Sequence, residues 1–457
     1  MIPKLRLPGD FGWCAIGPRK RACGQRMDIW RLGTAALLAC LLAAVSPGYA
    51  AGALTLDDYF AAALQRSEVV ASQSELIHQA EERYQQATSS LLPTVNGVAS
   101  YLWQEPLPTA APSTSTSLLS RQSLAKLTAT QPLFRGFREF ATLRQTQALV
   151  GAQSEDYQQA RIQLFKDVAQ NFYNVLSIEQ DLKNLDEQIQ QNLDREREIQ
   201  DRVRIGRSRV SEQLNVQATV STLRAQVEQL QGQLRVAREA FAFLSGLEST
   251  TPLNDTESMP AEKESLEAVL SRLPLRPDVR ASQKRLTAAQ EGVTVAKGAH
   301  LPSIDLNGNY YLDRPGVLKD VDWDVQVALT IPIYAGGLLQ SRAREAISQR
   351  SQVELTVSQV ARQAEQEIRS LHQGLQYDHS QLEALEKATE AARKSYEAQR
   401  REYRLGLVTN LDVLQAHTAY QENTRALDRA RYNTKLDYLR LQAATARRPD
   451  QSVKVTP

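Results

Sequence analysis

The chain reads QPLFRGF at residues 131–137 and IPIYAGG at residues 331–337, an offset of 200. Upstream, LPTV at 92–95 is repeated as LPSI at 301–304, with an offset of 209. The order of the motifs is therefore duplicated, and only the loop between them changes length. Duplication over this distance indicates an internal structural repeat. We interpret the chain as two copies of one unit.

Each copy begins with two segments in which apolar and polar residues alternate. The alternation is strict over 304–312 and 321–331, looser over 95–103, and weakest over 124–131. A period of two predicts β-strands with one apolar and one polar face. Such strands suit either a half-buried soluble hairpin or a membrane-spanning barrel, and the export signal described below favours the barrel. We expect the polar face to line the lumen with Asp305, Asn307, Asp322, Asp324 and Gln326, and the apolar face to contact lipid with Trp323, Val325, Val327 and Leu329.

Long proline-free tracts follow these strands. No proline occurs between Pro132 and Pro252, or between Pro332 and Pro449. A proline in a helix interior costs about 3 kcal/mol, so both tracts are compatible with uninterrupted helices. The sequence therefore predicts two long helical blocks.

Glycines mark the ends of these blocks. Gly136 and Gly206 are 70 residues apart, as are Gly336 and Gly406, and a helix of this length would reach about 105 Å. Because a glycine commonly terminates a helix in the left-handed conformation, we expect the chain to turn at Gly206 and Gly406. Return helices are predicted near 207–246 and 407–446, and shorter helices near 54–91 and 278–300.

The composition excludes several classes of protein. The chain has 54 basic and 52 acidic side chains, which argues against a nucleic-acid-binding protein. A mean hydropathy of −0.41 excludes a polytopic helical membrane protein. All three cysteines precede residue 50, the five histidines lack metal-ligand spacing, and no nucleotide-binding or hydrolase motif is present. We therefore predict a protein that is not an enzyme, with no catalytic residues, no metal site and no cofactor.

The first 50 residues are typical of an export signal. An apolar run of 13 residues at 33–45 follows Arg31 and precedes small residues, with predicted cleavage after Ala50. Met27 is an alternative start. A second interpretation treats Cys40 as the lipidated residue of a lipoprotein. Both interpretations take the protein out of the cytoplasm.

The domain organisation follows from the repeat. We predict a signal peptide at 1–50, a first repeat at 51–246, an equatorial linker at 247–276, a second repeat at 277–446 and a C-terminal tail at 447–457. Four strands cannot close a barrel, and lipid tolerates no open sheet edge. The chain must therefore oligomerise, and periodicity alone leaves two or three copies open.

The duplicated motifs resemble those of the TolC-type outer-membrane efflux proteins. The resemblance covers essentially residues 54–446, and its most specific segments are RPDV at 276–279, 331–337 and YRLGLVTNLDVLQ at 403–415. It implies a homotrimer in a Gram-negative outer membrane, with a twelve-stranded barrel and a helical periplasmic tunnel. It also implies a passive channel supplied by an inner-membrane transporter of the RND, ABC or MFS class and by a periplasmic adaptor. Both efflux and type I protein secretion remain open.

The same resemblance places a gate at the periplasmic tips of the helical hairpins. The residues it assigns are Asp412 with its repeat counterpart Glu212, Tyr403 in a hydrogen-bond network, Gln415 and Ser211. Gln415 replaces an aspartate of the family pattern and Val408 replaces an arginine, so we expect a less acidic and less firmly closed aperture. Six carboxylates from three chains would make the entrance attract cations. An acidic residue just after a turn is also a common helix cap, and Ser211 fits an N-cap equally well.

A function from a different class also fits the helical pattern. The chain could be a secreted periplasmic coiled-coil scaffold or tether without a pore, whose strand hairpins are soluble caps. The strictly alternating segment that ends at Ile331 favours the channel over this alternative.

Overall fold

The computed structural model describes residues 53–104, 121–259, 264–316 and 318–447. The predicted signal peptide, the Cys40 alternative and the tail after Arg447 lie outside the described residues. Within them the element order is α1 (Leu56–Arg66), α2 (Glu68–Ser89), β1 (Thr94–Trp103), β2 (Arg121–Arg135), α3 (Arg138–Arg204), α4 (Val210–Ser245), α5 (Leu266–Leu270), a 3₁₀ turn (Leu273–Leu275), α6 (Pro277–Gly298), β3 (Ser303–Asp313), β4 (Trp323–Thr330), α7 (Leu338–Arg404) and α8 (Asn410–Ala444).

The duplicated unit is visible in the lengths of the helices. α3 and α7 each contain 67 residues, which corresponds to about 100 Å of helix. α4 and α8, the return helices, contain 36 and 35 residues. The predicted order of strands followed by long helical hairpins is therefore confirmed.

The predicted single helix near 54–91 is wrong in one respect. It breaks at Ser67, whose backbone is extended and which ends α1 and begins α2. The Ser67 hydroxyl accepts a hydrogen bond from the amide of Val70. Serine competes with the helical backbone for hydrogen bonds, so it favours a cap over a helix interior.

The helices form one layer, side by side. α3 packs against α2 and α4 on one side and against α6 and α8 on the other, and α6 and α8 in turn pack against α7. α1, α2 and α4, with 11, 22 and 36 residues, run beside the whole of α3. Each long helix is thus matched by shorter antiparallel helices, as the sequence predicts.

An aromatic core holds the middle of this layer together. Tyr59, Phe172 and Phe241 are fully buried and come from α1, α3 and α4. The ring centroids of Tyr59 and Phe241 are 4.4 Å apart. The Tyr59 hydroxyl donates to Asn171 Oδ1 at 3.0 Å, so the polar end of the ring is also satisfied.

The four strands form an antiparallel sheet in the order β1-β2-β3-β4. β2, whose pattern is the weakest in the sequence, is the longest strand, with 15 residues, and occupies a central position. It includes Pro132, and the register with β3 shifts between Pro132 and Phe134. A proline is tolerated in a strand at such an irregularity because no ladder hydrogen bond is lost there. The edges of the sheet are β1 and β4.

Candidate functional site

The two hairpin tips have the same backbone structure. Gly206 and Gly406 have φ angles of 73° and 77°, in the left-handed region that favours glycine. The amide of Arg207 donates to the carbonyl of Arg202 at 2.8 Å. At the second tip, the amide of Leu407 donates to the carbonyl of Glu402 at 3.0 Å. This bond pattern closes the end of a helix and reverses the chain. The predicted turns are therefore confirmed at both glycines.

The carboxylate of Asp412 caps its own helix. It accepts hydrogen bonds from the backbone amide and the hydroxyl of Thr409, at 2.8 and 2.6 Å, and Thr409 Oγ1 accepts from the Asp412 amide. This reciprocal arrangement is a capping box. The Thr409 hydroxyl, followed by its amide, holds the pKa of Asp412 below its ordinary value. Asp412 therefore has a structural role at the tip, because it caps the helix that begins there.

The first hairpin lacks an equivalent box. The N-cap of α4 is Arg209, which makes no side-chain cap bond, so the expectation that Ser211 is the N-cap is wrong. Ser211 is an exposed residue one position inside the helix. Glu212, the repeat counterpart of Asp412, accepts a hydrogen bond from the Ser208 hydroxyl. Because Arg209 occupies the place of Thr409, the two tips differ in chemistry although they share a backbone.

Tyr403 lies between the two hairpins and is buried. The guanidinium carbons of Arg195 and Arg202, both on α3, each lie 4.6 Å from the centre of its ring. In the described part of the chain, its hydroxyl makes no hydrogen bond. The resemblance implies a hydrogen-bonding tyrosine here, but within one chain the contact is made by the aromatic face. Stacking of cations on that face joins the last turn of α7 to α3.

Arg195 also joins α3 to the beginning of α8. Its Nε and NH2 atoms donate to Asn410 Oδ1, at 2.8 and 2.7 Å. Both side chains are buried. Arg195 makes no ion pair within the described residues; its charge is stabilised by the Asn410 amide oxygen, the Tyr403 ring and the field of the nearby Glu198 carboxylate. Burial is the main cause that lowers the pKa of Arg195.

A polar network continues this contact along α8. His417 Nε2 donates to Gln191 Oε1, which also accepts from Gln421 Nε2 at 3.2 Å. The rings of His417 and Tyr396 lie 4.7 Å apart. Burial, with the charges of Arg195 and Arg400, lowers the pKa of His417 to about 4. The imidazole is therefore neutral at pH 7, which suits a buried position beside a guanidinium.

Sequence reasoning missed this network, although a signal was present. The buried polar side chains of α3 recur at helical spacing: Asp181, Asn184, Gln188, Asn192 and Arg195. Polar residues spaced three or four apart lie on one face of a helix. Since that face packs against α8, the stripe indicates a polar interface between the two hairpins.

The remaining tip residues are open to solvent. Gln415 is exposed, and Val408 is half-buried. Apolar side chains are also exposed at both tips, among them Ile205, Leu405 and Leu407. Clusters of exposed apolar residues on a protein surface commonly mark a contact with another molecule.

The polar face of the sheet is joined by hydrogen bonds across three strands. Thr128 Oγ1 donates to Asn309 Oδ1 at 2.9 Å, and Asn309 Nδ2 donates to Asp324 Oδ1 at 2.8 Å. One step along, Thr130 Oγ1 donates to Asn307 Oδ1 at 2.9 Å.

Other predicted lumen residues lie at the margins of this face. Asp305 forms an ion pair with Arg135 at 2.8 Å. Gln326 pairs with Asn307 in the register and is exposed. Asp322 precedes β4, which begins at Trp323, so its inclusion in the strand is wrong. Its carbonyl still accepts a hydrogen bond from the Tyr311 amide, at 2.7 Å.

The opposite face of the sheet is apolar and uncovered. Trp323, Val325, Val327 and Leu329 are 66%, 61%, 63% and 60% exposed. They pair in the register with Tyr310, Gly308, Leu306 and Ile304. Such a continuous apolar surface is unusual for a protein exposed to water. The structure thus places the four predicted lipid-facing residues on one face.

The described residues contain neither a metal-binding cluster nor a membrane-spanning helix. No group of three or more histidine, cysteine, aspartate or glutamate side chains among the described residues could hold a metal ion. In the same ranges no helix is long and apolar enough to cross a membrane.

Comparison with known families identifies the chain. The family model described as "Outer membrane efflux protein" matches residues 60–247 and 271–447. The chain belongs to the outer membrane efflux protein family. The match falls on both repeats and omits most of the linker between them, as expected for a duplicated unit. It confirms the resemblance inferred from the repeated motifs.

Solved structures share this fold. A CusC crystal structure superposes with a TM-score of 0.75 at 20% identity, over 85% of this chain and 91% of CusC. The outer membrane protein VceC from Vibrio cholerae superposes with a TM-score of 0.75 at 18% identity, over 85% of this chain and 95% of VceC. The open-state MtrE outer membrane channel of Neisseria gonorrhoeae superposes with a TM-score of 0.68 at 20% identity, over 85% of this chain and 88% of MtrE. No curated protein matches the chain in sequence.

Family membership decides between the functions considered above. The chain is an outer-membrane efflux protein, so the prediction of a transport channel that is not an enzyme is confirmed. The alternative of a secreted scaffold without a pore is not supported by this membership.

Proposed function

We propose that the protein acts as a homotrimeric passive duct. Three four-stranded sheets close a twelve-stranded barrel in the outer membrane, and the helices form a tunnel through the periplasm. An inner-membrane transporter supplies the substrate through a periplasmic adaptor. The protein itself performs no chemistry, and transport is driven by its partners. The duct serves efflux or type I secretion.

The observation that carries this proposal is the unpaired edges of a sheet with an apolar face. In the part of the chain that the structure describes, β1 and β4 each have a strand neighbour on one side only. A sheet whose apolar face contacts lipid must satisfy every edge amide and carbonyl, because lipid offers no hydrogen bonds. Pairing of β4 with β1 of the next copy supplies these partners and closes the barrel.

The helical layer supports the same ring. Its two edges are formed by α2 and α4 on one side and by α7 on the other. Exposed apolar side chains occur on both edges, with Val236 and Phe243 on α4 and Leu355 and Tyr377 on α7. Contact between unlike edges repeats around a rotation axis and closes as a ring. The same symmetry therefore serves the sheet and the helices.

The hairpin tips are the proposed aperture and adaptor site. We place Asp412, Glu212, Tyr403, Gln415 and Ser211 at or near this aperture. The exposed Leu405 and Leu407 offer an apolar contact to an adaptor. α3 separates the tips from the sheet by about 100 Å, which suits a duct that meets its partners deep in the periplasm.

Cross-linking of the sheet edges tests this proposal. No cysteine follows Cys40 in the chain, so introduced thiols are the only ones in the exported protein. A variant with Ala99→Cys on β1 and Val327→Cys on β4 is treated in membranes with a short bis-maleimide. We expect a ladder that ends at the trimer, because these strands lie at opposite edges of each sheet.

A matched pair in the sheet centre provides the control. Ala129 and Gly308 are paired across β2 and β3, so cysteines at these positions link within one chain and give no ladder. Recovery of both variants with outer membranes after a carbonate wash checks insertion. A chain that stays monomeric, or is released by the wash, contradicts the proposed duct.

A further inference from the structure

We propose that the periplasmic entrance of the duct favours anionic over cationic permeants. The inference depends on the proposed function, because it assigns a charge preference to the end of that duct. It reverses the cation preference expected from Asp412 and Glu212 alone. Three features of the hairpin tips carry it.

The first feature is the excess of arginine on the first tip. Residues 201–212 contain four arginines and two carboxylates, whereas residues 401–412 contain two of each. The first tip therefore has a formal charge of +2 and the second a formal charge of zero, which gives +2 per chain. Arg207 and Arg209 are exposed and make no ion pair within the described residues. Three copies would bring six such guanidinium groups to one end of the duct.

The second feature is the local engagement of the two carboxylates. Asp412 Oδ2 accepts hydrogen bonds from the amide and the hydroxyl of Thr409, which belongs to the same tip. Glu212 accepts from Ser208. These hydrogen bonds hold each carboxylate beside the start of its own helix. Arg202 and Arg204 pair with Glu198 and Asp201. Arg207 and Arg209 are held by no ion pair in the described ranges.

The third feature is the buried cation behind the tips. The Arg195 guanidinium contacts Asn410 and Tyr403 and makes no ion pair within the described residues, while the Glu198 carboxylate acts on it only from a distance. A charge in a buried site is screened less than an exposed one, so its field extends further toward the opening. Arg195 therefore adds to the positive potential of the exposed residues.

A narrow opening would make this excess of positive charge select for anions. Charges within about 8 Å act together at physiological salt, and a narrow opening between low-dielectric walls concentrates their field. Rings of arginine or lysine favour anions in pores, as rings of aspartate or glutamate favour cations. Anionic molecules delivered at the tips would therefore be concentrated at the entrance.

Single-channel recording across a planar bilayer tests the inference. The purified full-length protein is measured in a KCl gradient, and the reversal potential reports the preference between chloride and potassium. We expect a chloride preference in the parent protein. The variant Arg207→Gln with Arg209→Gln should shift the reversal potential toward potassium, and Glu212→Gln should shift it further toward chloride.

A matched variant controls for the loss of two charges. Arg224 and Arg235 are exposed on α4, away from the tip, so Arg224→Gln with Arg235→Gln should leave the reversal potential close to the parent value. A potassium preference in the parent overturns the inference and leaves the duct intact. An unchanged potential in the Arg207 and Arg209 variant also overturns it. A trimer without any conductance overturns both the inference and the proposed function.

Discussion

Asp412 and Tyr403 have the residue types that the family pattern implies, yet their contacts differ from that pattern. The carboxylate of Asp412 completes a capping box, and the ring of Tyr403 is held between two guanidinium groups. Both arrangements stabilise the tip of a single chain before any neighbour is present. A residue at the proposed gate can therefore owe its identity to local folding as well as to a pore.

The stacking of Tyr403 leads to a prediction at this scale. Since the Tyr403 hydroxyl makes no hydrogen bond among the described residues, Tyr403→Phe should leave the tip unchanged within a few tenths of a kcal/mol. Tyr403→Leu removes the aromatic face from two cations and should cost about 1–2 kcal/mol. Hydrogen exchange of the amides near residues 403–413 measures both effects. Equal protection in the two variants would show that the cation contacts contribute nothing.

Strand β4 shows how one element serves two environments. Its alternate residues form the exposed apolar face and the polar face that bonds to β3. Neighbouring positions therefore differ in environment while sharing backbone and height in the sheet. This contrast allows the membrane-facing side to be identified by paired substitutions.

The prediction compares Val325→Arg with Gln326→Arg. If Val325 faces the middle of the bilayer, its replacement should cost about 2–4 kcal/mol. Gln326 lies on the polar face, so the same arginine there should cost close to nothing. Reversible urea unfolding in lipid vesicles gives both free energies. A similar loss in the two variants would be inconsistent with a lipid-facing Val325.

At the scale of the whole molecule, one arginine joins elements far apart in sequence. Arg276 precedes α6 and is buried; it bonds to Asp278, to Glu367 on α7 and to the carbonyl of Ala444 on α8. Lys166 on α3 bonds to the same Glu367 at 2.7 Å. The network fixes the layer where the linker crosses it. Burial alone would raise the pKa of Glu367, but Lys166 and Arg276 hold it below its ordinary value.

This depressed pKa predicts how stability depends on pH. An unfolded glutamate titrates near pH 4.3, so the contribution of Glu367 is complete above that pH and is lost as the pH falls through the lower folded value. Glu367→Gln should lower the free energy of unfolding by about 1.5–3 kcal/mol at pH 7 and flatten the acid dependence. Glu365→Gln is the control, since the one ion pair of Glu365 in the described ranges is a solvent-accessible pair with Arg369. Urea titrations between pH 3 and 7 provide the measurement, and parallel pH profiles for the parent and Glu367→Gln would contradict the assignment.

The sequence by itself determined the architecture, because the features that specify it are local and repeated. Proline-free tracts, the turning glycines and the two-residue alternation each act within a few residues, so the helices, turns and outer strands could be predicted. The length and central position of β2 could not, since its weak pattern is stabilised by pairing with β1 and β3 on both sides.

The candidate site was predicted only in part. Asp412 and Tyr403 followed from the motif, but Arg195 gains its role only when α3 packs against α8, which brings it beside Asn410 and Tyr403, both more than 200 positions away. Contacts of this kind depend on tertiary packing, because a single helix does not show which of its buried polar residues will meet a partner.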